Sequence, residues 1–137
     1  MKEITFLFGI HNHQPVGNFD SVIEDAYHQA YLPFLEVLEK HPGVRLALHN
    51  SGILLDWFEA RHPDYLDRVR RLVEKGQVEL ITGGYYEPIL PAIPDADKVG
   101  QIRKLTAHLK QRLGGEATGL WLTERVWEPG LVGPLAQ

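Results

Sequence analysis

Among the 137 residues there is no cysteine and a single methionine. This excludes a disulfide framework, a thiolate metal site and a thiol nucleophile, and leaves carboxylates, histidines, hydroxyls or a bound cofactor to do any chemistry. No apolar run approaches the roughly 18 residues of a membrane span. The start, Met1-Lys2-Glu3-Ile4, reads as the approach to a strand rather than a charged leader with a long apolar stretch behind it. Basic clusters are missing as well. Lys and Arg are scattered and the net charge is −4, so neither a phosphate backbone nor an acidic lipid surface meets a positive field. Together these absences predict a cytoplasmic protein with no nucleic-acid and no membrane partner. Low-complexity and linker-like stretches are lacking too, and 44 % hydrophobic residues over this length suit one domain spanning 1–137. The scarcity of Cys and Met would also suit a thermophile.

What is present is alternation. Ile4 to Ile10 is a nearly continuous apolar run, as expected of a strand covered on both faces, and it ends at His11-Asn12-His13-Gln14. Ser21 with Glu24 three residues later has the form of a capping box, and Val22, Ile23, Ala26, Tyr27, Ala30, Phe34, Leu35 and Leu38 then recur at helical spacing until Pro42-Gly43. Pro33 predicts a kink or split in that helix. Val44 to Leu48 is a second strand, followed by helices over Ile53 to Ala60 and Pro63 to Lys75, the latter opened by proline and closed by Gly76. Asp64 with Arg68 and Asp67 with Arg71 form i,i+4 pairs on its solvated face. Val78 to Thr82 is strand three, Asp95 to Leu113 a long helix, and Thr118 to Thr123 strand four. Strands and helices alternating at this spacing predict an α/β fold with right-handed crossovers and a parallel sheet. Four such units leave two open edges, so the chain reads as incomplete.

In a parallel sheet all strands end on one side, which is where ligand sites sit. His11, His13 and Gln14 from the first strand, His49 and Asn50 from the second, Glu87 with Tyr85 and Tyr86 from the third, and Glu124 with Trp121 or Trp127 from the fourth gather there. A carboxylate between two tryptophans joins a nucleophile to flat apolar faces that stack on sugar rings, so carbohydrate chemistry is the first reading; Tyr85 and Tyr86 could add to that stacking. Glu124 could instead be a strand-end partner of Arg125. His11 and His13 could form a metal pair, but no aspartate in the early loops completes such a site, and their other reading is loop hydrogen bonding or substrate contact. Glu79 falls inside the third strand, where a charge is costly unless paired; the interior of a barrel is the preferred placement over solvent.

Phe8-Gly9-Ile10-His11-Asn12-His13-Gln14-Pro15 resembles the first motif of glycoside hydrolase family 57, the 4-α-glucanotransferase and α-amylase-like enzymes. Gly76-Gln77-Val78-Glu79 resembles the second, and Trp121-Leu122-Thr123-Glu124-Arg125-Val126-Trp127-Glu128-Pro129 the third. The order and spacing hold over the whole chain. The resemblance implies a (β/α)7 barrel of which this chain supplies about the first four strand–helix units. It implies a retaining mechanism on α-1,4-glucans through a glucosyl-enzyme intermediate, with Glu124 as nucleophile. Substrate contacts are implied from His11, His13, Glu79 and Trp121, with no metal and no other cofactor. The family's general acid/base is an aspartate of a fourth motif, which 1–137 do not contain, so these residues by themselves are expected to be inactive. A 4-α-glucanotransferase is therefore expected, the alternatives being a hydrolytic α-amylase of the same family or a catalytically incomplete glucan-binding fragment that self-associates as a homo-oligomer through its open edges. A metal-dependent deacetylase-like enzyme on a related barrel is a more distant reading.

Overall fold

Apolar runs become strands of one parallel sheet in the computed structural model, which describes residues 2–137. The strands β1 (Gly9–Asn12), β2 (Leu46–Asn50), β3 (Val78–Thr82) and β4 (Gly119–Leu120) lie side by side in chain order. Every neighbouring pair is parallel, so each connection must return the full length of the sheet. Helices make these returns: α1 (Asp20–Ala26), a π-helical turn (Tyr27–Tyr31) and α2 (Leu32–Lys40) after β1, α3 (Gly52–Arg61) and α4 (Pro63–Glu74) after β2, and α5 (Asp95–Leu113) after β3. A short helix, α6 (Val132–Leu135), ends the chain. Among the described residues no helix is long and apolar enough to cross a membrane.

Successive side chains of a strand point to opposite faces, and here the two faces differ in chemistry. Leu46, Leu48, Val78 and Leu80 are each under 5 % exposed and form one core with Leu54, Leu55, Phe58, Leu66, Val69 and Leu105 of the helices. Burying each such side chain contributes about 1.5–3 kcal/mol. The register Gly9↔Ala47↔Glu79 and His11↔His49 places the complementary set, with its histidines, on the other face.

Two elements coincide with the sequence reading residue for residue, β3 and α5, and Gly114 closes α5 in the left-handed conformation at φ 74°. β1 does not. It starts at Gly9, and Ile4, Phe6 and Leu7 are 96 %, 86 % and 88 % exposed. The first rung to β2 is Ala47 N–H to the Phe8 carbonyl at 2.9 Å, so β2 offers residues 4–7 nothing to pair with. β2 itself lies two residues later than expected, and β4 shrinks to two residues because it meets β3 only at Ile81 and Thr82.

The capping box does not form. The helix begins two residues earlier, Phe19 is its N-cap without a side-chain bond, and Glu24 instead receives His28 and His62 at 3.0 and 2.9 Å. Pro33 does split its helix, through the π turn ahead of it: the Leu32 N–H reaches the Tyr27 carbonyl, widening the coil where proline would clash. The expected pairs on α4 are replaced by links between helices. Arg68 holds Glu39 with two bonds of 3.0 and 2.7 Å, while Arg112 of α5 takes Asp67 at 2.8 Å and Glu59 at 2.5 Å. Forked guanidinium geometry outcompetes a loose neighbour on the same helix.

Gly52 is fixed by contact rather than by φ. Its N–H donates to the Tyr85 carbonyl at 2.9 Å, and an added Cβ would overlap the buried Tyr85 ring. That ring cannot yield, since its hydroxyl donates to Asp56 at 2.5 Å and Lys104 Nζ sits 3.9 Å over its face. Gly52→Ala is expected to lower stability by about 1–3 kcal/mol, read as a shift in the urea midpoint at unchanged m; an unshifted midpoint would show that Tyr85 is free to move.

Candidate active site

The parallel sheet brings its carboxyl ends to one edge, and the strand residues there are tied to each other before any ligand arrives. Asn12 Nδ2 donates to Asn50 Oδ1 at 2.9 Å, and Gln14 Nε2 donates to the Tyr31 hydroxyl at 2.8 Å while accepting from Asn18 at 2.7 Å. His11 and His49, opposite each other in register, meet through their Nδ1 atoms at 2.8 Å. His49 is wholly buried. The room for its ring comes from Gly83, where a Cβ would lie 2.7 Å from His49 Nε2. Trp121, the residue after β4, lays its indole on His11 at 4.2 Å between ring centres and 12° between planes.

The loop after β3 departs from the sequence reading. Tyr85 and Tyr86 do not face the strand ends: Tyr85 is buried on Asp56, and Tyr86 accepts a hydrogen bond from Lys104 at 2.6 Å. Both turn toward the helices, where their hydroxyls find partners, and neither is placed to stack on a sugar held beside Trp121. Glu87 turns back over the sheet. Its backbone is left-handed, φ 51°, and its carboxylate, 4 % exposed, receives Nδ1 of His13 on Oε2. Oε1 lies 3.5 Å from His49 Nδ1 and 3.7 Å from His11 Nε2 and is buried without a hydrogen bond.

Glu124 repeats this backbone device. Among the described residues the non-glycine positions with positive φ are Glu87, Glu124 at 54° and Arg125 at 57°. For side chains with a Cβ this region costs about 1–2 kcal/mol per residue, and such strain collects at functional sites. Here it turns the Glu124 carboxylate to a small cavity lined by His11, Trp121, Glu124 and Arg125. Arg125 does not pair with Glu124; among the described residues Glu124 has no ion pair. The carboxylate is exposed.

Charge and burial act on these groups together. Burial first, then His13, holds His11 below the usual imidazole range against an upward pull from Glu124. Burial, then His11 and His13, pushes His49 down to about 3. Burial raises Glu87 above the usual carboxylate range, drawn back by His13 and pushed further by Glu124. His11, His13 and Glu87 also place ligand atoms within 4.8 Å of one another, close enough to share a cation. The carboxylate that the early loops lack would be Glu87, from the loop after β3.

Of the residues expected to form a site, His11, His13, Trp121 and Glu124 converge. Glu79 does not join them. It is on the same face, level with Gly9 and Ala47, one layer toward the amino ends of the strands, exposed and receiving the Thr118 hydroxyl at 3.4 Å. His49 and Glu87 were legible as strand-end polar residues, yet nothing local marks them as the hub of a histidine cluster.

Residues 7–137 match the family profile described as Glycosyl hydrolase family 57. The chain is 54 % identical, over all its 137 residues, to an alpha-amylase of Pyrococcus horikoshii, of which it covers 22 %. It is 50 % identical over the same length to a 4-alpha-glucanotransferase of Thermococcus litoralis, covering 21 %. The crystal structure of the 4-alpha-glucanotransferase from Thermococcus litoralis superposes with a TM-score of 0.97 at 51 % identity, over 99 % of this chain and 21 % of that one. The chain thus spans about a fifth of the length of these relatives, and its four strand–helix units belong to a (β/α)7 barrel. With three sequence motifs, the strand-end cluster and a profile match over nearly all its length, the chain belongs to glycosyl hydrolase family 57.

Proposed function

We propose that the whole protein carrying this chain is a retaining enzyme on α-1,4-glucans, a 4-α-glucanotransferase, with Glu124 as nucleophile. One observation carries the reading: Glu124 is held in a strained left-handed backbone, without a cation, at a cavity floored by the His11–Trp121 stack. In the first step a Glu124 oxygen bonds to the anomeric carbon as the bond from that carbon to the glycosidic oxygen breaks, and a general acid gives the departing oxygen its proton. In the second, an acceptor hydroxyl loses its proton to the same group and displaces Glu124. A glucan 4-OH gives transfer; water gives hydrolysis.

Trp121 offers the sugar its outer face and His13 offers a ring nitrogen to its hydroxyls, while His11, both of whose nitrogens face protein groups, lines the cavity with its ring. Glu79, one layer lower, reaches only a sugar that lies deep against the sheet. Glu87 is no substitute for the acid, because its carboxylate is buried and committed to His13. The proton donor is then the aspartate of a fourth motif that the family resemblance implies, outside residues 1–137, and without that contribution of about 10²–10⁴-fold these residues alone are expected to be inactive.

Similar proteins named for hydrolysis and for transfer both occur, so a hydrolytic α-amylase is the second reading. Incubating the whole protein with maltotriose separates them. Transfer yields maltotetraose and longer products; hydrolysis yields glucose and maltose alone. Binding without either product would reduce the protein to a glucan-binding remnant.

A further inference from the structure

Glu87 takes no part in the displacement, yet three imidazoles converge on its buried carboxylate. Leaving such a charge unpaired is costly, so its surroundings must supply protons. Nδ1 of His13 gives one to Oε2. The rest is decided by the His11–His49 pair, whose Nδ1 atoms stand 2.8 Å apart. Both rings are neutral, since burial lowers both, so one Nδ1 donates and the other accepts.

There are two ways to arrange the protons, and they differ in what they leave at the ends. If His11 donates, its Nε2 lone pair faces Oε1 of Glu87, and the His49 proton moves to Nε2, a buried atom without a partner against Gly83. That sets a lone pair against an anion and orphans a buried N–H. If His49 donates, the His11 proton sits on Nε2 toward Oε1, and His49 keeps only a lone pair at its buried end. The negative carboxylate selects the second arrangement.

We propose that Glu87 is a positioning residue: its carboxylate fixes one proton arrangement, His49 donating to His11 and both His11 and His13 turned donor-first toward Glu87. The His11 ring is thereby held in the plane on which Trp121 stacks, and His13 is left with its half-exposed Nε2 as the atom that meets a sugar hydroxyl. The geometry stands by itself; its effect on rate rests on the glucan-active reading above.

The test is nitrogen-15 NMR of the histidine side chains in the whole protein near pH 7.5, assigned by single histidine replacements, since the two neutral tautomers differ in their nitrogen shifts. The expected wild-type result is His49 protonated on Nδ1 and His11 on Nε2. Glu87→Gln keeps the shape but puts an amide donor against one of the imidazole donors. It is expected to disturb that tautomer pair and to lower kcat/KM on maltotriose about 10–100-fold, by analogy with the loss seen when the hydrogen-bonding partners of metal-ligating histidines are removed. His49 carrying its proton on Nε2 in the wild type would overturn the proposal, whether or not Glu87→Gln folds. Unchanged tautomers or an unchanged rate in Glu87→Gln would overturn it too. A wild type with the expected tautomers but no action on any glucan would sink the functional reading and leave the proton arrangement standing.

Discussion

Glu124→Gln in the whole protein is expected to cut turnover of maltooligosaccharides by about 10³-fold or more, as removal of a covalent nucleophile does elsewhere, with substrate still bound. An amide oxygen has the size of the carboxylate oxygen but not its charge, so it occupies the cavity beside His11 and Trp121 without forming the ester. Stability should change by no more than about 0.5 kcal/mol, because the side chain is exposed and makes no ion pair among the described residues. Product analysis after long incubation, with calorimetric titration of maltotetraose, separates lost chemistry from lost binding. Undiminished product formation would remove Glu124 from the nucleophile's role.

Lowering the pH from 6.5 toward 5 is expected to destabilise the fold, above the range in which ordinary carboxylates titrate. His49 is held down to about 3 when folded, against about 6.5 in an unfolded chain. Its contribution is therefore fully present above the unfolded value and is lost as the unfolded chain takes up a proton that the folded ring refuses. Once pH is below 6.5 the loss tends to about 1.4 kcal/mol per pH unit for one such histidine, and His11, lowered for the same reason, adds to it. Glu87 works the other way, since a raised carboxyl takes up its proton in the folded state first. Two histidines against one carboxylate leave a net loss. Urea midpoints at half-unit steps between pH 7.5 and 5 check it: the wild type should lose stability, and His49→Asn should show a shallower slope whatever its starting stability. Equal slopes would mean that His49 protonates in place.

Much of the fold was legible because its signals are local. Val78–Thr82 and Asp95–Leu113 carry their own periods and stops, and a parallel sheet follows from strands separated by helices. That ordering places His11, His13, Trp121 and Glu124 at one edge; in the structure His13 and Trp121 lie against His11, and Glu124 shares a cavity with His11 and Trp121. Where an element's extent depends on a partner, the sequence overreached: Ile4 to Phe8 read as strand, but β2 has no residue to bond with them. The same holds for charge. Asp64 and Asp67 sit at ideal spacing from Arg68 and Arg71 of their own helix, yet Arg68 bonds Glu39 of α2 and Asp67 bonds Arg112 of α5.

By itself, then, the amino-acid order determined the layers, the direction of the strands and which side chains arrive at their ends, because periods of 2 and 3.6 residues are written within a few turns of chain. Only the tertiary structure decided the inward turn of Glu87, the placing of exposed Glu124 at the cavity beside His11 and Trp121, the burial of Tyr85 away from the site and the meeting of three histidines on one carboxylate. A left-handed backbone at a glutamate carries no local preference of its own. At Glu87 it serves contacts with His11, His13 and His49 from the ends of β1 and β2, which no local window of sequence contains.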